Sequence, residues 1–457
     1  MSPAEPDWTS LDRATRGGVV LPGSRSYDDV RAPRIANFAG IRPAAVVRCQ
    51  TAADVTETLA FVRRHGLPFA VRSGGHCFAG RSSTTGVLLD VSPMRSVGIT
   101  NGTVRIGAGT LLGEVYDALA VHRVTIPAGC GPTVGIAGLT LGGGLGILGR
   151  RHGFLCDSLR AARVVLADGR VADCDETREP DLFWALRGGG TIGVVTDLVF
   201  QTVPAPAMTA FHLTWPAEHA AAVIGAWQRW GPDAPDGLAA SLLVSVTGDR
   251  DPVVSVFGAF AGPERDCATL LRQLADATGA DPGGSSYRYD SHRETKRHLN
   301  VLDVHGTGTV AESNVYGLSR SEFFAGPLPA EAVRALVEHL VAGRVAGHDR
   351  ELDFTPLRGA YNRVDPGATA FVHRTDRFLL KQAVAVPLDA PPAQRDAARD
   401  WLRASWELTQ AHGTGRSYQN FPDPDLEDAS AAYFGANLTR LREIKATYDP
   451  DGLFPAV

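Results

Sequence analysis

The stretch VRSGGHCFAG, residues 71–80, sets His76 directly after two glycines. A histidine on a tight Gly-Gly turn, between an apolar run (Pro68–Val71) and a loop of small residues, is poorly placed for core packing. It is well placed to touch something that the backbone approaches closely. Glycine has no Cβ, so its N–H can come within hydrogen-bonding distance of a pyrophosphate. The imidazole of His76 then lies beside whatever that pyrophosphate carries. If the group is a flavin, His76 stands where a covalent tether belongs.

A second stretch carries chemistry of the same kind. IPAGCGPTVGIAGLTLGGGLGILGRRHG, residues 126–153, holds ten glycines and no charge before Arg150. A disordered linker would use Ser, Glu or Lys in place of these Ile, Leu and Val residues. A long backbone-exposing segment lined by apolar side chains suits a ligand that is part anionic and part aromatic, with amides for phosphates and apolar groups for rings. GLTLGGGLG does not match the dinucleotide fingerprint GxGxxG and follows no strand of a βαβ unit.

Other polar residues carry weaker signals. In ELDFTPL, Glu351 and Asp353 share a face with Thr355 by the two-residue period of a strand, either as a solvated face or as a site wall. His152 and His373 read as structural histidines, Arg150-Arg151 as a solvated pair, and HGTGT (His305 to Thr309) as a turn, since no lysine follows it. The six cysteines have no CxxC spacing or zinc-ligand pattern and read as reduced, mostly buried thiols.

The elements that must position these residues can be read from periodicity. RPAAVVRCQ is a strand. TAADVTETLAFVRRHG is a helix capped by Thr51, with Val55, Leu59 and Val62 on one stripe and Gly66 closing it. LPFAVRSGG, GVLLDVS and TVRIGAG are strands, and TLLGEVYDALAVH is a second amphipathic helix. ARVVLADGRVADC is a hairpin with Asp168-Gly169 as its two-residue turn. PDLFWALRGGG is a short helix and GVVTDLVFQTV a strand. From about Pro204, strands such as MTAFHLTW, GLAASLLVSV and PVVSVFGAF alternate with helices, which predicts an antiparallel sheet covered on one face. The last 60 or so residues carry too narrow an apolar stripe to stand alone and should pack back on the first region.

With 457 residues the chain can bury a large core in two or three domains. Its net charge of −5 gives no overall bias toward nucleic acid or anionic membranes. No run of 18 apolar residues and no signal-peptide core is present, so the reading is a cytoplasmic protein with no membrane or nucleic-acid partner.

RSGGH, GPTVGIAGLTLGGGLG, DLFWALRGGG, TAFVHR and SYQNFPDPDL occur in this order between residues 72 and 426. Together they resemble the FAD-linked oxidases of the berberine-bridge-enzyme-like group, within the vanillyl-alcohol-oxidase/p-cresol-methylhydroxylase fold. The resemblance implies an α+β architecture: a two-part FAD-binding domain (1–203 and 395–457) with an inserted antiparallel-sheet substrate domain (204–394). Arg72, Ser73, Gly74 and Gly75 would bind the pyrophosphate, with Cys77 following. His76 would be bonded to the flavin 8α-methyl. Thr133, Gly135, Gly138, Gly142, Gly143 and Gly146 would line the cofactor, Val194 would lie near the adenine, and Asn420 would face the flavin edge. Tyr418, from the family's YxN element, would be the catalytic base, and an unperturbed phenol near pKa ~10 needs a lowered value for that work.

The chain departs from the family pattern in three places. The second tether of bicovalent members falls on Gly131, with Cys130 one residue too early, so the flavin would be held by His76 alone, with a Cys130 bond as the alternative if the loop bulges. GGGTIG (Gly188 to Gly193) shortens the usual glycine run, and Phe421 stands where YxNY has its second tyrosine. The implied reaction is two-electron oxidation of a small organic substrate, a specialised-metabolite intermediate, with flavin reoxidation by dioxygen to hydrogen peroxide. The alternatives are a sugar or alcohol oxidase or dehydrogenase of the same fold, a flavin-retaining cyclase without net oxidation, and a binding protein with a lost site. The protein would act as a monomer or homodimer. Side chains of the middle region set the substrate, and strand register decides which of them face it.

Overall fold

The computed structural model describes residues 6–248, 250–302 and 314–456. Helix Ala52–His65 of the early region shows why the local sequence folds as it does. Thr51 Oγ1 accepts from Asp54 N, and the Asp54 carboxylate accepts from Thr51 N at 3.1 Å, so two orphan donors are satisfied reciprocally. Val55, Leu59 and Val62 are buried, and Gly66 ends the helix at φ +59°.

Two smaller sheets organise this half. Strands Val19–Val20, Ala45–Arg48, Val87–Asp90 and Phe69–Arg72 pair in that order, the last three in parallel. Strands Val97–Thr100, Thr103–Gly107, Val194–Gln201, Leu159–Val165 and Val171–Asp175 form an antiparallel sheet. The hairpin between the last two departs from the two-residue turn read from Asp168-Gly169. Leu166 N bonds Arg170 O, so Ala167, Asp168 and Gly169 make a three-residue loop with Gly169 left-handed at φ +87°.

A seven-stranded antiparallel sheet fills the middle, in the order Gly284–Ser291, Ala207–Trp215, Val253–Phe260, Leu238–Thr247, Asp349–Pro356, Phe378–Pro387, Val315–Phe324. Helices Ala220–Trp230, Glu264–Thr278, Ala330–Val341 and Pro392–Glu407 cover one face and share its core through Trp227, Leu271, Leu336 and Trp401. Helix Pro392–Glu407 straddles the boundary expected at 394/395 and packs with this middle sheet. The chain rejoins the first core farther on, through Tyr433, Phe434, Leu441 and Ile444. Among the described residues no helix is long and apolar enough to cross a membrane.

Along Asp349–Pro356 burial alternates strictly. Arg350, Leu352, Phe354 and Pro356 point into the core, while Asp349, Glu351, Asp353 and Thr355 share the half-buried face turned away from the helices.

Candidate functional site

Strand Phe69–Arg72 delivers the turn that holds His76. The Arg72 guanidinium is spent within the protein, on Ser82 O at 2.9 Å, Ser83 Oγ at 3.0 Å and Arg31 O, and burial pushes it down to about 10. What the turn offers a ligand is therefore its backbone. Gly75 sits at φ +73°, and among the described residues the N–H groups of Gly74, Gly75, His76 and Cys77 have no hydrogen-bond partner. Ser73 Oγ ties the turn to Ala108 O at 2.7 Å. Successive free amides around a left-handed residue form an anion-binding concavity.

The second glycine stretch meets this turn directly. A Cβ on Gly74 would fall on Gly135 N, and one on Gly135 would fall on Ser73 Oγ and Gly74 N, so the two backbones touch. His76 Nε2 lies 3.0 Å from Thr133 Oγ1. Burial, helped by the charge of Arg34, pushes the imidazole below its ordinary pKa and keeps it neutral, the nucleophilic form.

The remaining glycines divide by task. Gly138 faces open space. Gly142 abuts the Asn420 amide, Gly143 the Phe371 ring, and Gly146 the Ala128 carbonyl, so these three serve close packing of protein on protein. The amides of Gly144 and Leu145 donate to the Tyr418 hydroxyl at 3.0 and 3.2 Å, and Gly146 N donates to Tyr361 Oη at 3.2 Å. Arg374, fully buried, braces the segment by pairing with both Asp157 oxygens at 2.8 and 2.6 Å. Leu155 and Cys156 in turn bond Gly144 O and Gly143 O.

Tyr418 is buried, and its oxygen also accepts from Asn420 Nδ2 at 3.1 Å, whose other proton goes to Leu139 O. Burial pushes the phenol up to about 12. Burial thus opposes the base role expected of Tyr418, while the three donors at its oxygen favour the phenolate that role needs. Val194 is buried in the first core at the start of its strand. Cys77 is half-buried. Cys130 is half-buried, and burial raises its thiol, partly opposed by the charge of Lys296.

A cleft of about 1240 Å³ opens beside the turn, with Arg34, Phe78, Asp349, Glu351, Lys381 and Trp406 in its lining. The acidic strand face read from ELDFTPL thus contributes to a cleft wall. Lys381 Nζ lies 3.2 Å from Asp353, across the strand pair, and 5.4 Å from the centre of the Phe421 ring. Phe421 packs edge-on against both Phe78 and Tyr418.

Three further readings are now placed. Arg150 is not solvated: it is buried and donates to the carbonyls of Gly231, Pro232 and Ala234. His373 is a neutral core residue stacked on Phe323 and pushed down to about 3 by burial. HGTGT, His305 to Thr309, lies outside the described residues. Sequence reasoning missed Tyr361, Arg374 and Lys296, which act on loops more than a hundred residues away and carry no local signal.

The family model "FAD binding domain" matches residues 43–175, and "Berberine and berberine like" matches residues 417–456. The chain is 30% identical over 423 residues to the FAD-linked oxidoreductase YgaK of Bacillus subtilis, covering 90% of each protein. It is 30% identical over 438 residues to a chitooligosaccharide oxidase of Gibberella zeae, covering 90% of this chain and 86% of that one. The fold is shared with BBE-like 1 of Physcomitrella patens at a TM-score of 0.87 and 24% identity, over 98% of this chain and 97% of that one.

Proposed function

This chain belongs to the berberine-bridge-enzyme-like family of FAD-linked oxidoreductases, and from that premise we propose that it is an oxidase of a small organic molecule whose flavin is bonded to His76. One observation carries the tether: a neutral imidazole held by Thr133 at the end of a turn with four unspent amides. The residues fit the cofactor, with the amides of Gly74 to Cys77 for the diphosphate and the open face at Gly138 for the body of the ligand. Thr133 engages Nε2, which leaves Nδ1 of His76 for the flavin methyl. Attachment through His76 alone is the reading adopted, because Gly131 stands where bicovalent members have their cysteine. FAD, held by these residues, would supply two-electron oxidation chemistry with dioxygen as the final acceptor and hydrogen peroxide as the by-product.

The protein's own part is to bind the substrate and move its proton. Phe78 and Phe421 offer an apolar wall for a ring or carbon skeleton, and Glu351 and Lys381 a polar floor. We assign proton removal to Glu351, on the cleft wall beside Lys381, since Phe421 has no hydroxyl and burial raises the Tyr418 phenol to about 12. This favours a substrate whose oxidised carbon bears a hydroxyl or amine, such as a specialised-metabolite intermediate. A sugar substrate is the second reading, supported by the acidic row Asp349, Glu351 and Asp353 along the same face. The free thiols suit a reducing compartment such as the cytoplasm.

Intact mass of the denatured protein tests the tether. The wild type should carry the mass of one FAD and His76→Ala should carry none; a wild type at the bare polypeptide mass, purified yellow, removes the covalent bond from the proposal.

A further inference from the structure

A lysine in the middle domain reaches the cofactor side of the molecule. Lys296 lies on helix His292–Val301, which packs against the strands Ala207–Trp215 and Gly284–Ser291 of the large sheet. Its side chain crosses the seam and is buried. The ammonium donates to Tyr116 Oη at 2.7 Å, to Gly129 O at 2.9 Å and to Ala128 O. Tyr116 Oη itself donates to Gly129 O at 2.5 Å. The Ala128–Gly129 backbone is therefore gripped twice, from the first-domain helix Leu112–Ala120 and from the middle domain. From Gly129 the chain runs through Cys130 to Thr133, the partner of His76, and to Gly135, which touches Gly74.

Burying an ammonium is costly, and a methionine of similar length would pack there without that penalty. The charge is thus poorly explained by stability alone. All three of its acceptors lie on the first domain, two of them on the loop that leads to the cofactor turn. Surface contacts across the same seam are of another kind: Arg293 and Arg297 both pair with Asp117, at 2.5 and 3.2 Å, and do not touch the loop.

We propose that Lys296 is a positioning residue: from the middle domain it holds the Ala128–Cys130 wall in register with Thr133 and His76, so that FAD reaches its final seat only when the two domains are docked. This rests on the FAD reading above. It also makes retention of the cofactor depend on a residue outside the segments that match the FAD-binding and berberine-like families.

The test compares purified proteins as expressed, with FAD itself as the probe. Lys296→Met loses the buried charge but leaves Ala128 O without its donor, so the variant should fold, its apoprotein melting within a few degrees of the wild-type apoprotein. Its FAD content, or its fraction bonded to the polypeptide, should fall at least ~10-fold, the size expected from losing charge-assisted hydrogen bonds to two carbonyls. The visible circular dichroism of whatever flavin remains should change. Arg297→Met, which opens a surface pair of the same seam, should keep wild-type FAD content and dichroism. Tyr116→Phe removes one of the two grips on Gly129 and should shift the dichroism in the same direction as Lys296→Met. It serves as the second probe if Lys296→Met does not fold. Wild-type loading and dichroism in Lys296→Met, or in Tyr116→Phe where the first variant is insoluble, would overturn the proposal. So would an equal loss in Arg297→Met, which would assign the effect to domain docking in general. A wild type without any FAD defeats the FAD reading itself, whereas a loaded wild type with an unchanged Lys296→Met defeats only the role of Lys296.

Discussion

The two aromatic positions of SYQNF divide labour in a way their spacing alone does not reveal. Tyr418 keeps its hydroxyl but spends it on Gly144, Leu145 and Asn420, while Phe421 faces the Lys381 ammonium with a bare ring. Tyr418→Phe should therefore loosen the glycine loop, at a cost of about 1–3 kcal/mol for the unsatisfied amides, and leave flavin reduction within a few-fold of wild type. Glu351→Gln should slow anaerobic flavin reduction at least ~100-fold, because a neutral amide cannot take up the substrate proton. Stopped-flow reduction by whichever alcohol, sugar or amine bleaches the wild-type flavin decides between the two. A Tyr418→Phe enzyme that fails while Glu351→Gln turns over normally reverses the assignment. Glu351 could be picked out from period-two alternation, since a strand face is a local property. Lys296 could not, because its acceptors are carbonyls 167 and 168 residues away and any lysine looks alike in sequence.

At the level of elements, the cofactor turn is a meeting of two loops that have no room for a side chain where they touch. Gly135→Ala would drive a methyl group into Ser73 Oγ and Gly74 N, both of them on the turn. The expected result is a soluble protein with its FAD content strongly reduced, read from the visible absorbance per polypeptide; full loading would show that the contact can relax. The brace behind the glycine loop is electrostatic. Arg374→Met would strand the Asp157 carboxylate in a buried site, and loss of one partner of such a pair costs about 3–5 kcal/mol, measurable as a lower urea midpoint. Helices with a cap and a stripe, such as Ala52–His65, were legible to the residue. Arg150 was not: a charged pair reads as solvated until a distant loop brings three carbonyls to it.

For the whole molecule, pH acts through a carboxyl on the large sheet. Glu322, on strand Val315–Phe324, is buried, and desolvation pushes it up to about 7, only partly opposed by Gly415 N, Trp406 and the charge of Arg320. Its folded value lies above its unfolded one, so the folded state holds the proton more tightly. The stability this contributes is complete below about 4.5 and is lost as pH rises through about 7. The loss amounts to about 3 kcal/mol at most by the usual conversion. Glu322→Gln should therefore melt higher than wild type at pH 8, with the gap closing at pH 4.5 or below; a gap independent of pH removes the linkage. The antiparallel middle sheet and the return of the chain end were both foreseeable from pattern and stripe width. The placement of helix Pro392–Glu407 on the middle sheet was not, since nothing local distinguishes an amphipathic helix of one core from that of another.

The return of residues 418–420 to the glycine loop also bears on how the protein is made. Asn420 packs under Gly142 and Tyr418 over Gly144, so nearly three hundred intervening residues must leave the ribosome before these parts can meet. Closure over such a separation is slow. A nascent chain halted in the middle sheet, or the isolated first 203 residues, would then emerge colourless even in a cell replete with vitamin.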